Sequence, residues 1–200
     1  YLTLDENDWS ASSFRSLIEM VDDFVNATRI ALGDDSPDRA FGLMVVLWGV
    51  VPHARCAEIA ELGAVVLDRW SEPTLPMRSD VVATTATAMR EVGRHDEALA
   101  LATEALDHLD TGFVAPVIVH RILALLLLRD DPVRARHHAE ESLAAADAAD
   151  LRPFGREMQL LLAQLDVERG DVDIAIETAQ RIAAETGPDD LNHMFALLVE

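Results

Sequence analysis

The stretch VATTATAMREVGRHDEALALATEAL, residues 82–106, decides the fold of this chain. It contains two runs in which small and apolar residues recur every three or four positions, the spacing of one face of an α-helix. Gly93 separates the two runs, and a glycine in this place is typical of a helix end. Residues 82–106 are therefore predicted to form a helical hairpin with its turn at Gly93.

The same hairpin pattern recurs along the chain. Aligned on the first alanine after each turn, the equivalents of Ala98 are Ala135 and Ala175, with a fainter one at Ala60, so that the intervals are 38, 37 and 40 residues. A fixed period in this range predicts stacked helical hairpins, because each hairpin is too small to bury its apolar face alone. The expected fold is all-α, a right-handed superhelix of helix-turn-helix repeats.

These repeats predict a single helical-repeat domain over residues 1–200. Residues 1–35 are expected to hold an irregular start and one helix, and residues 36–200 about four hairpins followed by an unpaired helix. The first residue is not Met and the last residues lie in a helical pattern, which indicates a piece of a longer protein. The expected helices cover residues 13–32, 37–51, 54–70, 77–92, 96–109, 114–128, 132–148, 152–169, 172–185 and 189 onward.

Composition supports this class and limits the partners. Half of the residues are apolar but only 5% are aromatic, so Ala and Leu dominate, and both favour helices. The net charge of −20 opposes contact with nucleic acid or anionic lipid. All sixteen basic residues are Arg, which indicates either a GC-rich genome or, as an alternative, a halophile.

Cysteine content and hydropathy indicate a cytoplasmic protein. Cys56 is the only cysteine, so the chain has no internal disulfide framework and no multi-cysteine metal site. The strongest apolar run, residues 122–128, is far too short to span a bilayer. The first residues lack the basic region of a signal peptide. We therefore expect no membrane partner.

The hairpin at Gly93 resembles a tetratricopeptide repeat. Its small residues Ala86, Ala98 and Ala105 stand where neighbouring helices of that family touch, and the later hairpins repeat the pattern with Ala139, Ser142, Ala163 and Ala179. The bulky residues at the start of the first helix and the terminal proline of that family are mostly missing, and the period is a few residues longer. The resemblance is therefore to the degenerate, longer-period branch of these repeats.

The region from Val21 to Trp70 resembles a particular group of proteins. It is similar to the region that follows the ATPase module in large actinobacterial regulators of the maltose-activator type. The similarity rests on an apolar helix with a central Trp48, followed by Ala57-Glu58 and by residues 67–70. The resemblance implies a role in transcription regulation and signal transduction. It also implies a neighbouring ATPase module in the parent chain and, at the C-terminus, a LuxR-type helix-turn-helix.

The sequence lacks the common catalytic signatures. A phosphate-binding P-loop needs a lysine, and this chain has none. No G-x-S-x-G motif is present, and the absence of lysine excludes S-x-x-K. We therefore expect no enzymatic activity and no cofactor within this segment.

Three local clusters could hold a metal or react, and each has a simpler interpretation. His137 and Glu141 share a helix face, but a zinc site needs three or four ligands, so a solvated face is favoured and no metal is expected. Residues 166–173 resemble a calcium loop with its glycine displaced, and Asp171 fits a helix N-cap better. Cys56 beside Arg55 could be a reactive thiol, but a quiet, half-buried cysteine is the favoured interpretation.

The first helix of each repeat is expected to line the inner surface of the stack. Each inner-face position of the tetratricopeptide repeat corresponds to a residue of this chain. The alternative is that these side chains are merely solvated. For the histidine on the third hairpin, the alternative is that its ring nitrogens are hydrogen-bonded within the protein. The candidate groove residues are His53, Thr87, Arg90, Glu91, His120, Gln164 and Glu168.

The sequence therefore predicts a non-catalytic repeat scaffold in a multidomain regulator. Its expected partner is a protein, a peptide, a small effector or the neighbouring ATPase module. The alternative is a structural self-association module without a ligand groove, forming a homodimer through the unpaired helix that begins near Asp189.

Overall fold

A computed structural model describes residues 18–48, 51, 55–111 and 114–186. This part of the chain contains nine α-helices, one 3-10 helix and no strand, which confirms the all-α prediction there; the right-handed superhelix stays a prediction. None of these helices is long and apolar enough to cross a membrane. The α-helices are α1 (Val21–Gly33), α2 (Pro37–Leu47), α3 (Cys56–Arg69), α4 (Arg78–Glu91), α5 (His95–Ala105), α6 (Ala115–Leu127), α7 (Pro132–Ala148), α8 (Arg152–Arg169) and α9 (Val172–Glu185).

The ends of the later helices follow from local chemistry. Pro132 is the first residue of α7, and the Asp131 carboxylate before it accepts a hydrogen bond from the Arg134 amide, as an N-cap should. Gly93 and Gly170 follow α4 and α8 with positive φ angles of 80° and 92°, which glycine adopts at little cost. The predicted bounds of α7, α8 and α9 are confirmed.

The predicted helix over residues 96–109 was wrong at its end. The α-helix α5 stops at Ala105 and a 3-10 helix covers Leu106–Thr111. His108 has non-helical angles of φ −136° and ψ 22°, and its carbonyl oxygen accepts a hydrogen bond from the Ser79 hydroxyl at 2.7 Å. This contact with α4 competes with the regular α-helical pattern, and no Gly or Pro marks the change in the sequence. The predicted helices that start at residue 13 and at Asp189 lie wholly or partly outside the described residues.

The chain divides into two compact units, Tyr1–Ala115 and Pro116–Glu200. In the first unit α1 packs on α2, α3 on α4, and α4 on α5, while α2 also contacts α4. The α4 helix is buried on all sides from Arg78 to Met89. The prediction of one repeat domain over residues 1–200 stays a prediction.

A close approach of the Thr85 side chain to the backbone of Gly63 positions α4. A Cβ atom at Gly63 of α3 would lie 2.1 Å from the Thr85 Oγ1 and 2.9 Å from its Cβ and Cγ2. Those distances are shorter than van der Waals contact, so α3 and α4 pack this closely only because residue 63 is glycine. Arg78, at the start of α4, is buried, and its Nη2 lies 3.8 Å from a carboxylate oxygen of Glu104.

The second unit is a stack of α6 to α9 around two apolar clusters. Ala124, Ala139, Met158 and Leu161 bring α6, α7 and α8 together. The second cluster joins α8 and α9 and consists of Leu160, Ala179 and Ile182. Because most of these side chains are small or unbranched at Cβ, the helices can approach closely.

The last three hairpins share one register of buried residues. In their second helices, α5, α7 and α9, the positions of Ala98, Ala102 and Ala105 are at most 3% exposed. The repeat spacing that the sequence indicates therefore coincides with a repeated pattern of burial in the structure. The equivalent residues are Ala135, Ala139 and Ser142 in α7, and Ala175, Ala179 and Ile182 in α9.

Candidate functional site

The candidate groove residues of the first unit lie near the end of α4. Thr87 is buried, and its hydroxyl donates to the Ala83 carbonyl four residues earlier, so it offers no free group to a ligand. Arg90 and Glu91 form an ion pair and are partly accessible. His53 lies outside the described residues. The assignment of these residues to a groove stays a prediction.

The candidate groove residues of the second unit lie on α6 and α8. Gln164 and Glu168 are exposed and stand one turn apart on α8, whereas His120 on α6 is half-buried. Glu168 also borders a shallow depression between the start of α7 and the end of α8. That depression measures about 170 Å³, which suits a single side chain better than a drug-sized molecule. Its other lining residues are Pro132, Val133, Arg136, Leu165 and Arg169.

Salt bridges connect α8 to α6 and to α7. Arg121 of α6 contacts Glu157 of α8, with Nε 2.8 Å from one carboxylate oxygen and Nη2 2.7 Å from the other. Arg136 of α7 pairs with Asp166 of α8, and both side chains are about four-fifths buried. Hydrogen-bonded pairs with two contacts or with partial burial hold their geometry better than fully exposed ones. These salt bridges therefore fix the position of α8 relative to α6 and α7.

A pair of histidines bridges α6 and α7. The Nδ1 atoms of His120 and His138 lie 3.1 Å apart, and the ring centroids are 5.3 Å apart. The rings therefore point at one another edge to edge, so that one Nδ1 donates its proton and the other accepts it. His138 is only 6% exposed. The third ring, that of His137, lies 5.5 Å from that of His138.

Burial keeps both bridging rings neutral at pH 7. Burial, together with the nearby His120, His137 and Arg134, lowers the pKa of His138 from 6.5 to about 4, against the opposing charge of Glu141. Burial also lowers the pKa of His120. The Nδ1–Nδ1 hydrogen bond requires that at least the accepting ring be neutral, because two protonated rings would both be donors.

A second hydrogen bond crosses the same interface one turn further along. The Ser142 hydroxyl donates to the Val117 carbonyl at 2.8 Å, and Ser142 is fully buried. The α6–α7 interface therefore contains two polar contacts, one of them between titratable rings. Chemically, the two rings can share one proton between their Nδ1 atoms, and binding of a further proton to the accepting ring would break that hydrogen bond.

The other candidate clusters have ordinary surroundings. His137 and Glu141 are exposed, as the solvated-face interpretation predicts, and no group of three or more potential metal ligands occurs among the described residues. The Cys56 thiol donates to the Val51 carbonyl, and burial raises its pKa, which opposes reactivity and agrees with a quiet cysteine. Asp171 occupies the N-cap position of α9 without a side-chain hydrogen bond.

Reasoning from the sequence alone missed His138. The structure places its ring in contact with His120 of α6. The signal was present, because His138 stands three residues after Ala135 and four before Ser142, on the buried face of its helix. A histidine on a buried face needs a partner for its ring nitrogens, and His120 provides it.

The sequence matches no protein-family model, and comparison with curated proteins and with solved structures gives no match.

Proposed function

We propose that this chain is a non-catalytic helical-repeat scaffold that binds a partner within a larger regulator. The observation that carries the proposal is the shared register of buried small residues in α5, α7 and α9. A fixed register lets successive hairpins pack in one way, and repeats of this kind present extended surfaces for binding. The resemblance to maltose-type regulators supports a role in transcription regulation in the cytoplasm.

The surface with the best support for binding is the exposed face of α8. Gln164 and Glu168 project from one side of this helix, next to the depression bordered by Val133 and Leu165. Surfaces that combine an apolar pocket with a polar rim are typical of protein interfaces. The partner that fits this surface is a protein or peptide that places one apolar side chain in the depression.

Binding at such a surface passes a signal by differential affinity. A partner that prefers one arrangement of the hairpins over another shifts the population toward it by the difference in its two binding free energies. No chemical step is needed. The neighbouring ATPase module of a parent regulator, as the resemblance implies, would then respond to the occupied state.

Site-specific photo-crosslinking in the full parent protein tests this proposal. A photoreactive phenylalanine analogue replaces Gln164 or Glu168 and, as a matched control, exposed Ala144 on α7. We expect a discrete crosslinked product from both α8 positions and none from position 144. Equal products from all three positions, or none from α8, would contradict binding at this face.

A second candidate is self-association through α9. Val172 and Ile174 at its start are 43% and 58% exposed, and two large apolar side chains this close together could be covered by a second copy of the chain. Light scattering of the chain and of its Ile174→Ser variant distinguishes the two candidates. A dimer that dissociates in the variant supports self-association, whereas a monomer in both supports the partner-binding scaffold.

A further inference from the structure

The buried histidine pair has no role in the proposed binding surface, and its geometry points to a separate property. His120 and His138 are the polar side chains that face each other across the α6–α7 interface with nitrogens at hydrogen-bond distance. The same two helices contribute Ala124 and Ala139 to the apolar cluster that includes Met158. Any loss of this contact therefore affects how α6 and α7 cover the core of the second unit.

We propose that the His120–His138 pair is an acid-sensitive contact, which holds α6 against α7 while one proton lies between the rings and separates them when both rings are charged. Each neutral ring carries one proton. A first proton from solvent binds the remote nitrogen of the donor ring and leaves the Nδ1–Nδ1 hydrogen bond intact. A second must bind the accepting Nδ1, which removes the acceptor and places two like charges side by side.

The charged groups around the pair determine how strongly acid acts. On α7, Glu141 favours the charged rings, whereas His137 and Arg134 oppose them. On α6, Arg121 follows His120 directly, but its charge is paired with Glu157 of α8. The single carboxylate of Glu141 is exposed and cannot compensate two buried charges.

The direction of the pH effect follows from the lowered pKa values. An unfolded histidine titrates near 6.5, whereas folded His138 titrates near pH 4, so the folded unit binds fewer protons between these values. The stability that the neutral pair contributes is fully present above pH 6.5 and is lost as the pH falls from about 6.5 to about 4. Acid therefore opens this interface, and neutral pH closes it.

Amide hydrogen exchange of the whole chain, at pH 7.5 and pH 4.5 and corrected for intrinsic rates, tests the proposal. Protection of α6 and α7 is expected to fall roughly 10- to 100-fold at pH 4.5, the size that a pKa shift of this magnitude produces. Protection of α9 should fall far less. An equal fall in all four helices of the second unit would overturn the proposal, because it would report general acid unfolding.

Variants assign the effect to the pair. His138→Gln keeps an amide that can bond to His120 but does not titrate, so its protection in α6 and α7 should hardly change between the two pH values. Ser142→Ala removes the neighbouring hydrogen bond and should lower protection equally at both. His137→Gln, at an exposed position, should retain most of the wild-type pH response.

A measurement on the unaltered chain decides the matter if the glutamine variant does not fold. The Cε1 proton resonances of the seven histidines are followed by NMR from pH 8 to pH 4. One resonance that shifts only well below pH 6 and a second that shifts below the pH of an ordinary histidine, together with the loss of α6 and α7 amide protection, support the proposal. Titration of all seven near pH 6.5 overturns it.

Discussion

The α4 helix and the α6–α7 interface both bury polar side chains, but they satisfy them in different ways. The hydroxyls of Thr84, Thr85 and Thr87 in α4 each donate to the carbonyl four residues earlier in the same helix. In the α6–α7 interface, Ser142 and His138 instead bond to groups of the other helix. The threonine hydroxyls of α4 are therefore satisfied locally, whereas the polar side chains of the α6–α7 interface are satisfied between helices.

This difference indicates what positions each helix. Hydroxyls that bond within their own helix say nothing about where the helix lies, so the threonines do not position α4. Its position depends on the contact of Gly63 with Thr85 and on hydrogen bonds at its start, such as the one from Ser79 to the His108 carbonyl. Hydrogen bonds between helices fix both distance and register, so α6 and α7 are positioned by chemistry as well as shape. Substitutions that change volume and substitutions that change hydrogen bonding should therefore affect the two regions differently.

The largest effect is expected at the close approach in the first unit. Gly63→Ala adds a Cβ that overlaps both branches of the Thr85 side chain, so α3 and α4 must move apart. We expect the free energy of unfolding to fall by about 2 kcal/mol, within the usual range for overpacking. Chemical denaturation with circular dichroism measures it.

Gly42→Ala is the matched control for this substitution. Gly42 lies within α2, and a Cβ there would have no atom within 4 Å. Alanine should therefore stabilise the chain by up to about 1 kcal/mol through its higher helix propensity. If both alanine variants changed stability in the same direction, the steric account of α4 would be wrong.

A smaller effect is expected where a hydroxyl crosses between helices. Ser142→Ala removes the hydrogen bond to the Val117 carbonyl and should lower the free energy of unfolding by about 1 kcal/mol. Thr87→Val removes a buried hydroxyl that bonds within its own helix and should change it by less than about 0.5 kcal/mol. Thermal unfolding of both variants measures the difference, and equal losses would remove the distinction between the two regions.

The fold was predictable wherever local chemistry marks a helix end. The start of α7 at Pro132 follows from proline and a capping aspartate, and the end of α8 follows from Gly170. The change from α-helix to 3-10 helix at Leu106 was not predictable, because it depends on the Ser79–His108 hydrogen bond between residues far apart in the sequence. Helical periodicity reports which face is buried, and it does not report such tertiary contacts.

The candidate site was predictable only in part. The repeat register placed His120 on the third hairpin, and Gln164 and Glu168 at positions that the structure leaves exposed. The partnership of His120 with His138 could not be read from spacing alone, because the 18 residues between them include a turn whose geometry sets the pairing. The burial of Thr87 was also missed, because α4 is covered by neighbours on all sides.

The central claim is that α5, α7 and α9 each bury the same register of mostly small residues. The most direct measurement compares Ala98→Leu, Ala135→Leu and Ala175→Leu with leucine at an exposed alanine of the same three helices, positions 100, 144 and 184. The account predicts that each register variant lowers the free energy of unfolding by about 1–3 kcal/mol, and that each exposed variant changes it by less than about 0.5 kcal/mol. The account would be contradicted if leucine at a register position lowered the free energy of unfolding no more than leucine at its exposed counterpart.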